Sequence, residues 1–301
     1  MNSTQVISVP EDFNFWRTVY SHGWCSLPPF NVDKDRERLN CVLDVGKRMI
    51  VDCALSPSRA SLVLMLMSNR KLNRLQTLSA IAQIKDCLRL KEDFSQFYRD
   101  ARKQKEFRWV SRTGSGRLLR APSVFEDVVK MICTTNCSWA FTENMVKNLL
   151  DRLGSVSPAG VRCFPAPETI AAMTEREMRT EIRAGYRSPY LLEFSERVAA
   201  GKLDVESWRL STLPTPELFK QVISIKGVGE YATGNILKLL GRYDYLGLDS
   251  WVRGRYYELY TNGRKVSDAR IEKQYAKYGQ WRGLLFWLDM TKHWFGRKFP
   301  F

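Results

Sequence analysis

The stretch SIKGVGEYATGNILKLLGRYDYLGLDSWVRGRYYELY, residues 224–260, decides how the rest of the chain is interpreted. One helix is predicted to end just before the KGVG turn at 226–229, and a second helix to begin after it. The glycines permit positive φ angles and a close approach by another backbone. Exposed amides at the start of the second helix suit a phosphate oxygen, Lys226 adds positive charge beside them, and Val228 can pack between the two helices.

Asp249 is predicted to stand at the start of the next helix, over residues 250–260. It can act there as an N-cap that satisfies backbone amides. If a groove opens at this point, a carboxylate at a helix N-terminus stays ionised and can stabilise positive charge that develops nearby. Asp244 is the nearest competing carboxylate, but its RYDY setting is typical of a surface turn.

The hairpin and the aspartate together resemble the helix-hairpin-helix and Gly/Pro-rich-loop–Asp signature of the DNA glycosylase superfamily. The resemblance implies that Gly227, Val228 and Gly229, with Lys226, grip the DNA backbone. It implies that Asp249 is the catalytic carboxylate, next to the anomeric carbon of a flipped nucleotide. It also implies a monovalent cation, K⁺ or Na⁺, at the hairpin and no organic cofactor. The family commonly has proline where this chain has Lys226, and proline in the loop before the aspartate, which this chain lacks.

Two further segments carry the resemblance. ICTTN, within VFEDVVKMICTTNCSWAFTENMVKNLL at 124–150, is similar to a segment of 8-oxoguanine DNA glycosylases, and AGYRSPYL at 184–191 is similar to their GYRxxY segment. The likeness implies that Asn136 fills the gap left by the flipped base, that Tyr186 wedges beside the orphaned base, and that Arg187 contacts it. Taken alone, Asn136 is typical of a turn and Tyr186 of a core.

The position that separates the two chemistries of this family holds a tyrosine. Bifunctional members place a lysine two residues after the second hairpin glycine, and here that residue is Tyr231. A tyrosine cannot form an imine, so hydrolysis without AP-lyase activity is expected. Lys226 and Lys238 are the alternative amines, but one precedes the turn and the other lies two helical turns beyond the site.

Substrate choice is predicted from aromatic residues. Aromatic rings attract electron-poor purines, and the predicted base pocket comprises Tyr231, Trp251, Trp139 and Phe286. An alkylated purine is therefore placed first, 8-oxoguanine or another oxidised purine second, and a deaminated or mismatched pyrimidine third. Mismatch enzymes of the superfamily usually carry an iron–sulfur cluster after the catalytic helix, where this chain has no cysteine. The other class of function left open is a non-catalytic helix-hairpin-helix DNA-binding protein.

Composition agrees with a nucleic-acid partner. The 301 residues include 47 Lys and Arg against 32 Asp and Glu, a formal charge of +15. Such a protein binds a polyanion favourably by releasing condensed counterions; double-stranded DNA containing a damaged base is the predicted partner. The seven cysteines lack paired CxxC spacing and only two histidines occur, so zinc or iron–sulfur ligands are not expected and the thiols are predicted to be reduced.

Nothing in the sequence predicts export or a membrane. No apolar run approaches the length of a membrane span. The N-terminus MNSTQVISVPED has neither the basic nor the apolar region of a secretory signal. We therefore expect an intracellular monomer, in a nucleus or a bacterial cytoplasm, that is not secreted and has no membrane partner.

The predicted fold class is α+β. Residues 1–105 are predicted to form a small antiparallel β-rich N-terminal domain with helices, and residues 106–301 a mostly α-helical helix-hairpin-helix glycosylase body. The N-terminal part resembles the extra domain of 8-oxoguanine and bacterial 3-methyladenine glycosylases. Short β-like runs fill residues 5–67, including FNFWRTVY at 13–20. The basic stretch 102–120 is predicted to be a solvated linker or a DNA-facing strip.

Helix boundaries are predicted from caps and breakers. Helices are expected near 73–87 and 92–103, and a single long one from a capping box at Ser123 and Glu126 to Leu153. A second capping box is expected at Thr174 and Glu177. Further helices are predicted over 188–200, 215–224, 230–241, 250–260, 267–277 and 281–294.

Overall fold

A five-stranded antiparallel sheet forms the N-terminal part of the chain. The computed structural model describes residues 1–295, and its sheet has the order β1-β5-β4-β3-β2. Buried residues alternate with less buried ones in β5 and, from Val51 to Leu55, in the neighbouring β4, with Cys53 opposite Leu66 and Leu55 opposite Leu64, as expected for a sheet with one face on the core. The strands are β1 (Asn2–Ser8), β2 (Asn31–Asp33), β3 (Arg38–Asp44), β4 (Ile50–Ser58) and β5 (Ser61–Met67).

The rest of the described chain is mostly helical, which confirms the predicted fold class. The helices are α1 (Phe15–Val19), α2 (Arg74–Cys87), α3 (Ser95–Lys103), α4 (Arg108–Thr113), α5 (Val124–Thr134), α6 (Trp139–Leu153), α7 (Pro167–Ala171), α8 (Glu175–Thr180), α9 (Ser188–Ala199), α10 (Thr215–Ile223), α11 (Glu230–Leu239), α12 (Ser250–Tyr260), α13 (Asp268–Tyr275) and α14 (Arg282–Thr291).

One predicted strand is a helix. The segment FNFWRTVY contains the helix α1. The Asn14 side chain caps the N-terminus of this helix by accepting a hydrogen bond from the Arg17 amide at 3.0 Å. The residues that face the core, Phe15, Thr18 and Val19, are three and four positions apart. That spacing is helical. The prediction of a β-strand here was wrong because it was based on the aromatic residues of the segment and overlooked Asn14 as a helix N-cap.

The predicted long helix 123–153 is two helices. The chain breaks after α5, where Asn136 adopts a φ of +47°, and Ser138 caps the start of α6. The Ser123 capping box is half formed: Ser123 accepts the Glu126 amide at 3.1 Å, but the Glu126 carboxylate pairs with Lys130 instead. The box at Thr174 and Glu177 is reciprocal, as predicted.

The basic stretch 102–120 is neither a solvated linker nor a DNA-facing strip along its whole length. Its first part contributes to α3 and α4, and its end runs through the core, so that Arg117 and Arg120 are buried. Arg89 is buried beside them, and all three guanidinium groups lie around Glu92 or its backbone. The arginines were misread because nothing in the local sequence indicates that a carboxylate compensates their charge.

This arginine cluster also caps α11. Arg89 donates to the carbonyl oxygens of Lys238 at 3.0 Å and Leu239 at 3.3 Å, and Arg120 donates to Leu239 at 3.2 Å. Helix C-termini leave four carbonyl groups without helical partners, and cations there also meet the negative end of the helix dipole. Burial raises the pKa of Glu92, but the guanidinium groups outweigh burial, so the pKa lies below its usual value.

We expect Glu92→Gln to lower the free energy of unfolding substantially, because it leaves buried guanidinium charges uncompensated. Losing one partner of a buried ion pair costs roughly 3–5 kcal/mol, and the partial exposure of Glu92 places the loss toward the lower end. Urea denaturation measures it, with Glu181→Gln, from an exposed pair with Arg152, as the matched control.

We expect the difference in the free energy of unfolding between the wild type and Glu92→Gln to become smaller as pH falls. The depressed pKa of Glu92 means that its contribution is present above the pKa of the unfolded chain and is lost as pH falls through the folded value. The wild type then carries a neutral side chain too. An unchanged gap between pH 7 and about pH 3 would contradict this assignment.

Candidate active site

The loop that follows α11 folds back along that helix. At Gly234 a Cβ would lie 2.9 Å from the Gly247 Cα, so helix and loop backbones touch directly. Gly247 has a φ of +65°, which favours glycine. The side chains of Asn235 and Lys238 occupy the space that a Cβ on Gly247 would take, at 2.9 and 2.8 Å. The two glycines therefore allow the loop to lie against α11, and the loop brings Asp249 beside the first turn of that helix.

A cavity of about 300 Å³ lies between this helix–loop unit, the end of α5, the N-terminal segment 22–24 and the end of α14. Six aromatic side chains line it: Trp24, Trp139, Tyr231, Trp251, Trp287 and Trp294. The Trp139 indole packs directly on the backbone of Gly23, where a Cβ would lie 2.3 Å from the ring. A cavity of this size and lining suits a flat aromatic ligand held by stacking.

Asp249 stands where the cavity meets a wider groove of about 890 Å³. It caps α12, and its Oδ1 accepts the Val252 amide at 2.7 Å. The N-cap expected from the sequence is therefore present, and the same residue borders an open groove. The Tyr231 hydroxyl is its neighbour: burial first, and then the Asp249 carboxylate, raise the pKa of Tyr231. Asp244 is not part of this site, and its Oδ2 accepts the Thr215 hydroxyl at 2.9 Å.

Lys238 lines the same cavity, which corrects its predicted place two turns beyond the site. It lies on one face of α11 with Tyr231 and Asn235, because these residues are three and four positions apart. Only 2 % of it is exposed, and burial lowers its pKa to about 7, against the opposing effect of the Asp249 carboxylate. Its position follows from the returning loop, which places the Leu246 carbonyl at its Nζ.

His22 is an uncharged polar residue in the lining of the cavity. Its Nε2 contacts the Leu119 carbonyl, and burial lowers its pKa to about 4. The ring is therefore neutral at pH 7, with its proton on Nε2 as the donor. Sequence reasoning missed His22, Trp24, Asn235, Trp287 and Trp294 as cavity residues.

The hairpin adopts the predicted geometry. α10 ends at Ile223, α11 begins at Glu230, and Val228 is buried between them. Gly227 has a φ of +83° and lies against the Tyr190 ring, where a Cβ would be 2.6 Å from a ring carbon. Gly229 has open space around it. Lys226 forms an ion pair with Glu193 at 2.7 Å and is largely exposed.

The three residues predicted to act at the flipped-base gap and the orphaned base lie together around the turn that follows α5. Asn136 is exposed in the turn between α5 and α6 and borders the wider groove. Tyr186 is 46 % exposed and donates to the Thr135 carbonyl at 3.2 Å. Arg187 is buried, and its guanidinium donates to Thr135 and stacks 4.5 Å from the Tyr186 ring. In this structure Arg187 therefore supports the turn rather than facing the groove.

Three of the four predicted base-pocket residues line the cavity, and Phe286 does not. Phe286 is fully buried and packs edge-on against Tyr275 at 5.0 Å. The next residue, Trp287, lines the cavity instead. The two residues are adjacent on α14 and therefore point to different faces of the helix, and the prediction chose the face that packs in the core.

No cluster of metal-ligating side chains occurs within residues 1–295. All seven cysteines are free, six of them buried. Within the same described part of the chain, no helix is long and apolar enough to cross a membrane.

Together the hairpin, the aspartate after it and the N-terminal sheet define the fold of the helix-hairpin-helix DNA glycosylases. The 3-methyladenine DNA glycosylase of Archaeoglobus fulgidus superposes with a TM-score of 0.76 over 97 % of this chain and 99 % of that one, at 19 % identity. The 8-oxoguanine glycosylase/lyase of Clostridium acetobutylicum superposes with a TM-score of 0.74 over 95 % of both chains, at 17 % identity.

Sequence comparison finds relatives of the same kind. The chain is 24 % identical over 171 residues to the "Putative DNA-3-methyladenine glycosylase YfjP" of Bacillus subtilis, and 25 % identical over 214 residues to the "Probable N-glycosylase/DNA lyase" of Methanothermobacter thermautotrophicus. These alignments span 58 % and 66 % of the relatives' own lengths. No protein-family model matches the chain. The predicted resemblance to the glycosylase superfamily is confirmed.

We expect Gly247→Ala to destabilise the protein by about 1–3 kcal/mol, the usual cost of forcing an added group into a packed site. The new Cβ would meet Lys238 and Asn235 and would hold a left-handed φ. Urea denaturation measures the loss. Gly254→Ala is the matched control, because its Cβ would enter open space within α12. Equal stability of the two variants would contradict the tight helix–loop contact.

Proposed function

We propose that this protein is a monofunctional DNA glycosylase that hydrolyses the N-glycosidic bond of a flipped, damaged purine in double-stranded DNA. The observation that carries the proposal is the position of Asp249, a helix-start carboxylate where an open groove meets an aromatic cavity. DNA in the groove would place a sugar at Asp249 and its base in the cavity. No organic cofactor enters the proposal.

Binding would begin at the DNA backbone. The formal charge of +15 favours a polyanion, and the open space around Gly229 leaves room for a phosphate at the start of α11. Lys226 would exchange Glu193 for that phosphate. Asn136, at the border of the groove, would fill the gap left by the extruded nucleotide, and the exposed Tyr186 would wedge beside the orphaned base. Extrusion costs on the order of a few kcal/mol, and less where damage weakens pairing.

The monovalent cation implied by the family would lie at the hairpin. Backbone carbonyl oxygens suit such an ion. Among the described hydrogen bonds, the carbonyls of Ile225 and Gly229 accept backbone amides, whereas those of Gly227 and Val228 do not. The cation would tie the hairpin to a phosphate and has no part in bond cleavage.

Cleavage would pass through a sugar with oxocarbenium character. The Asp249 carboxylate would stabilise that positive charge and orient the attacking water, as a carboxylate does in glycoside hydrolysis. Tyr231 stands where bifunctional relatives carry their lysine, and a phenol cannot form an imine with the sugar. The reaction would therefore end at an abasic site with an intact strand.

Two classes of purine are supported by different observations. Six aromatic rings around the cavity favour an electron-poor alkylated purine, which is the first candidate. The hydrogen-bonding groups of Lys238 and His22 in the same cavity favour a carbonyl-bearing purine such as 8-oxoguanine, which is the second. The enzyme would act as a monomer wherever the cell keeps its DNA, in a nucleus or a bacterial cytoplasm.

The proposal is tested with end-labelled duplexes carrying 7-methylguanine, 8-oxoguanine, hypoxanthine, uracil or a mismatch, each with and without hot alkali. Breaks that appear only after alkali identify a monofunctional glycosylase, and the responding duplex identifies the base. Breaks without alkali, trapped by borohydride, would contradict the monofunctional assignment. Tight binding with no breaks on any duplex would favour the non-catalytic DNA-binding protein.

We expect Asp249→Asn to lower the single-turnover excision rate by roughly 100- to 1,000-fold or more, the range for losing one preorganised stabilising group. DNA affinity should remain, because the hairpin is untouched. Asp244→Asn is the matched control, since it removes a carboxylate from the same loop outside the cavity. Equal loss in both variants, or activity retained in Asp249→Asn, would contradict the role given to Asp249.

A further inference from the structure

Lys238 is a charged group built into the cavity wall. Its Nζ donates to the Leu246 carbonyl at 2.5 Å and to the Asn235 Oδ1 at 3.1 Å. Asn235 is itself fixed, because its Nδ2 donates to the Tyr231 carbonyl at 2.9 Å. An ammonium has three N–H groups, so among the described contacts one remains for a ligand in the cavity.

Depth separates the roles of Lys238 and Asp249. Asp249 borders both the wide groove and the cavity, whereas Lys238 borders the cavity alone and is almost fully buried. A nucleotide that enters from the groove would therefore meet Asp249 with its sugar and Lys238 with its base. The amine thus lies where a base would be read and released, rather than at the anomeric carbon.

We propose that Lys238 is a catalytic residue that hydrogen-bonds the departing base and thereby allows excision of neutral, carbonyl-bearing bases such as hypoxanthine or 8-oxoguanine. The inference rests on the proposed glycosylase function and specifies its substrate class. His22 lines the same cavity; because its Nε2 is committed to Leu119, Nδ1 is the ring nitrogen that would accept a hydrogen bond from the base. One donor and one acceptor would then read the base edge.

The chemistry explains why neutral bases need this group. When the bond between C1′ and the base nitrogen breaks, its electron pair goes to the base. A cationic base such as 7-methylguanine leaves neutral, whereas a neutral base leaves as an anion. The Lys238 ammonium hydrogen-bonds that anion and transfers its proton to it, water adds to C1′, and the proton of the water passes through Asp249 to solvent. A proton from solvent then restores the ammonium.

The test compares Lys238→Met with wild type on two duplexes, one carrying 7-methylguanine and one carrying hypoxanthine. General acid catalysis contributes about 100- to 10,000-fold, so we expect at least a 100-fold loss of single-turnover rate on hypoxanthine. The rate on 7-methylguanine should change only a few-fold. Lys202→Met, from an exposed site after α9, removes the same charge and should affect neither rate.

A pH profile of the wild type tests the same role without a variant. Burial lowers the pKa of Lys238 to about 7. We therefore expect kcat/KM on hypoxanthine to fall as pH rises through that value, and kcat/KM on 7-methylguanine to show no such fall. The other titratable or charged groups around Lys238 are Asp249 on the loop, His22 in the N-terminal segment, Tyr231 on the same helix, Cys137 in the α5–α6 turn and Arg89 at the helix C-terminus. Burial lowers the pKa of His22 to about 4 and raises that of Tyr231, so neither produces a limb near 7.

Failure of this inference is distinct from failure of the proposed function. A wild type that excises no base from any of the five duplexes removes the proposed function itself. Excision of 7-methylguanine alone, equal loss of both activities in a folded Lys238→Met, or an alkaline limb shared by both bases would overturn the role of Lys238 and leave the function standing. If only neutral bases are excised, a kcat/KM that does not fall as pH rises through about 7 would overturn the role of Lys238. Borohydride trapping that disappears in Lys238→Met would make the amine a nucleophile and also overturn it.

Discussion

The contact between Gly234 and Gly247 is the constraint on which the site depends. A helix and the loop after it can approach this closely only when neither carries a Cβ at the contact. The approach sends the loop back along α11, so that the carboxylate at its end stands beside the first turn of the helix. It also closes the Leu246 carbonyl over Lys238. Carboxylate and amine thus share one cavity although they are eleven positions apart in the sequence.

The opposite end of α11 is held by charge. Arg89 and Arg120 bind its last carbonyls, and Glu92 compensates them. Arg89 and Glu92 come from the N-terminal part of the chain, which also supplies His22 and Trp24 to the cavity. The N-terminal part therefore completes the site in addition to supporting it. Buried arginines in this role account for part of the positive charge that the sequence alone assigns to DNA binding.

Some local features of the fold were predicted from the sequence, whereas the helix α1 and the break between α5 and α6 were missed although local caps mark both. The KGVG turn, the capping position of Asp249 and the spacing of the helices follow from residues near one another in sequence, and the structure has them. Lys238 was visible at helical spacing from Tyr231, but its place in the cavity depends on the left-handed Gly247. His22 reaches the site from more than 200 residues away, beyond any local pattern. On α14 the choice between Phe286 and Trp287 is a matter of helix register, which tertiary packing decides.

The central claim is that a damaged base enters the aromatic cavity with its sugar at Asp249. A crystal structure of the protein bound to a duplex containing 2′-fluoro-2′-deoxyinosine, which resists cleavage, tests it most directly. The account predicts hypoxanthine inside the cavity, C1′ beside the Asp249 carboxylate, and the Lys238 Nζ within hydrogen-bond distance of the base. A base left stacked in the duplex, or extruded to a place outside this cavity, would contradict it.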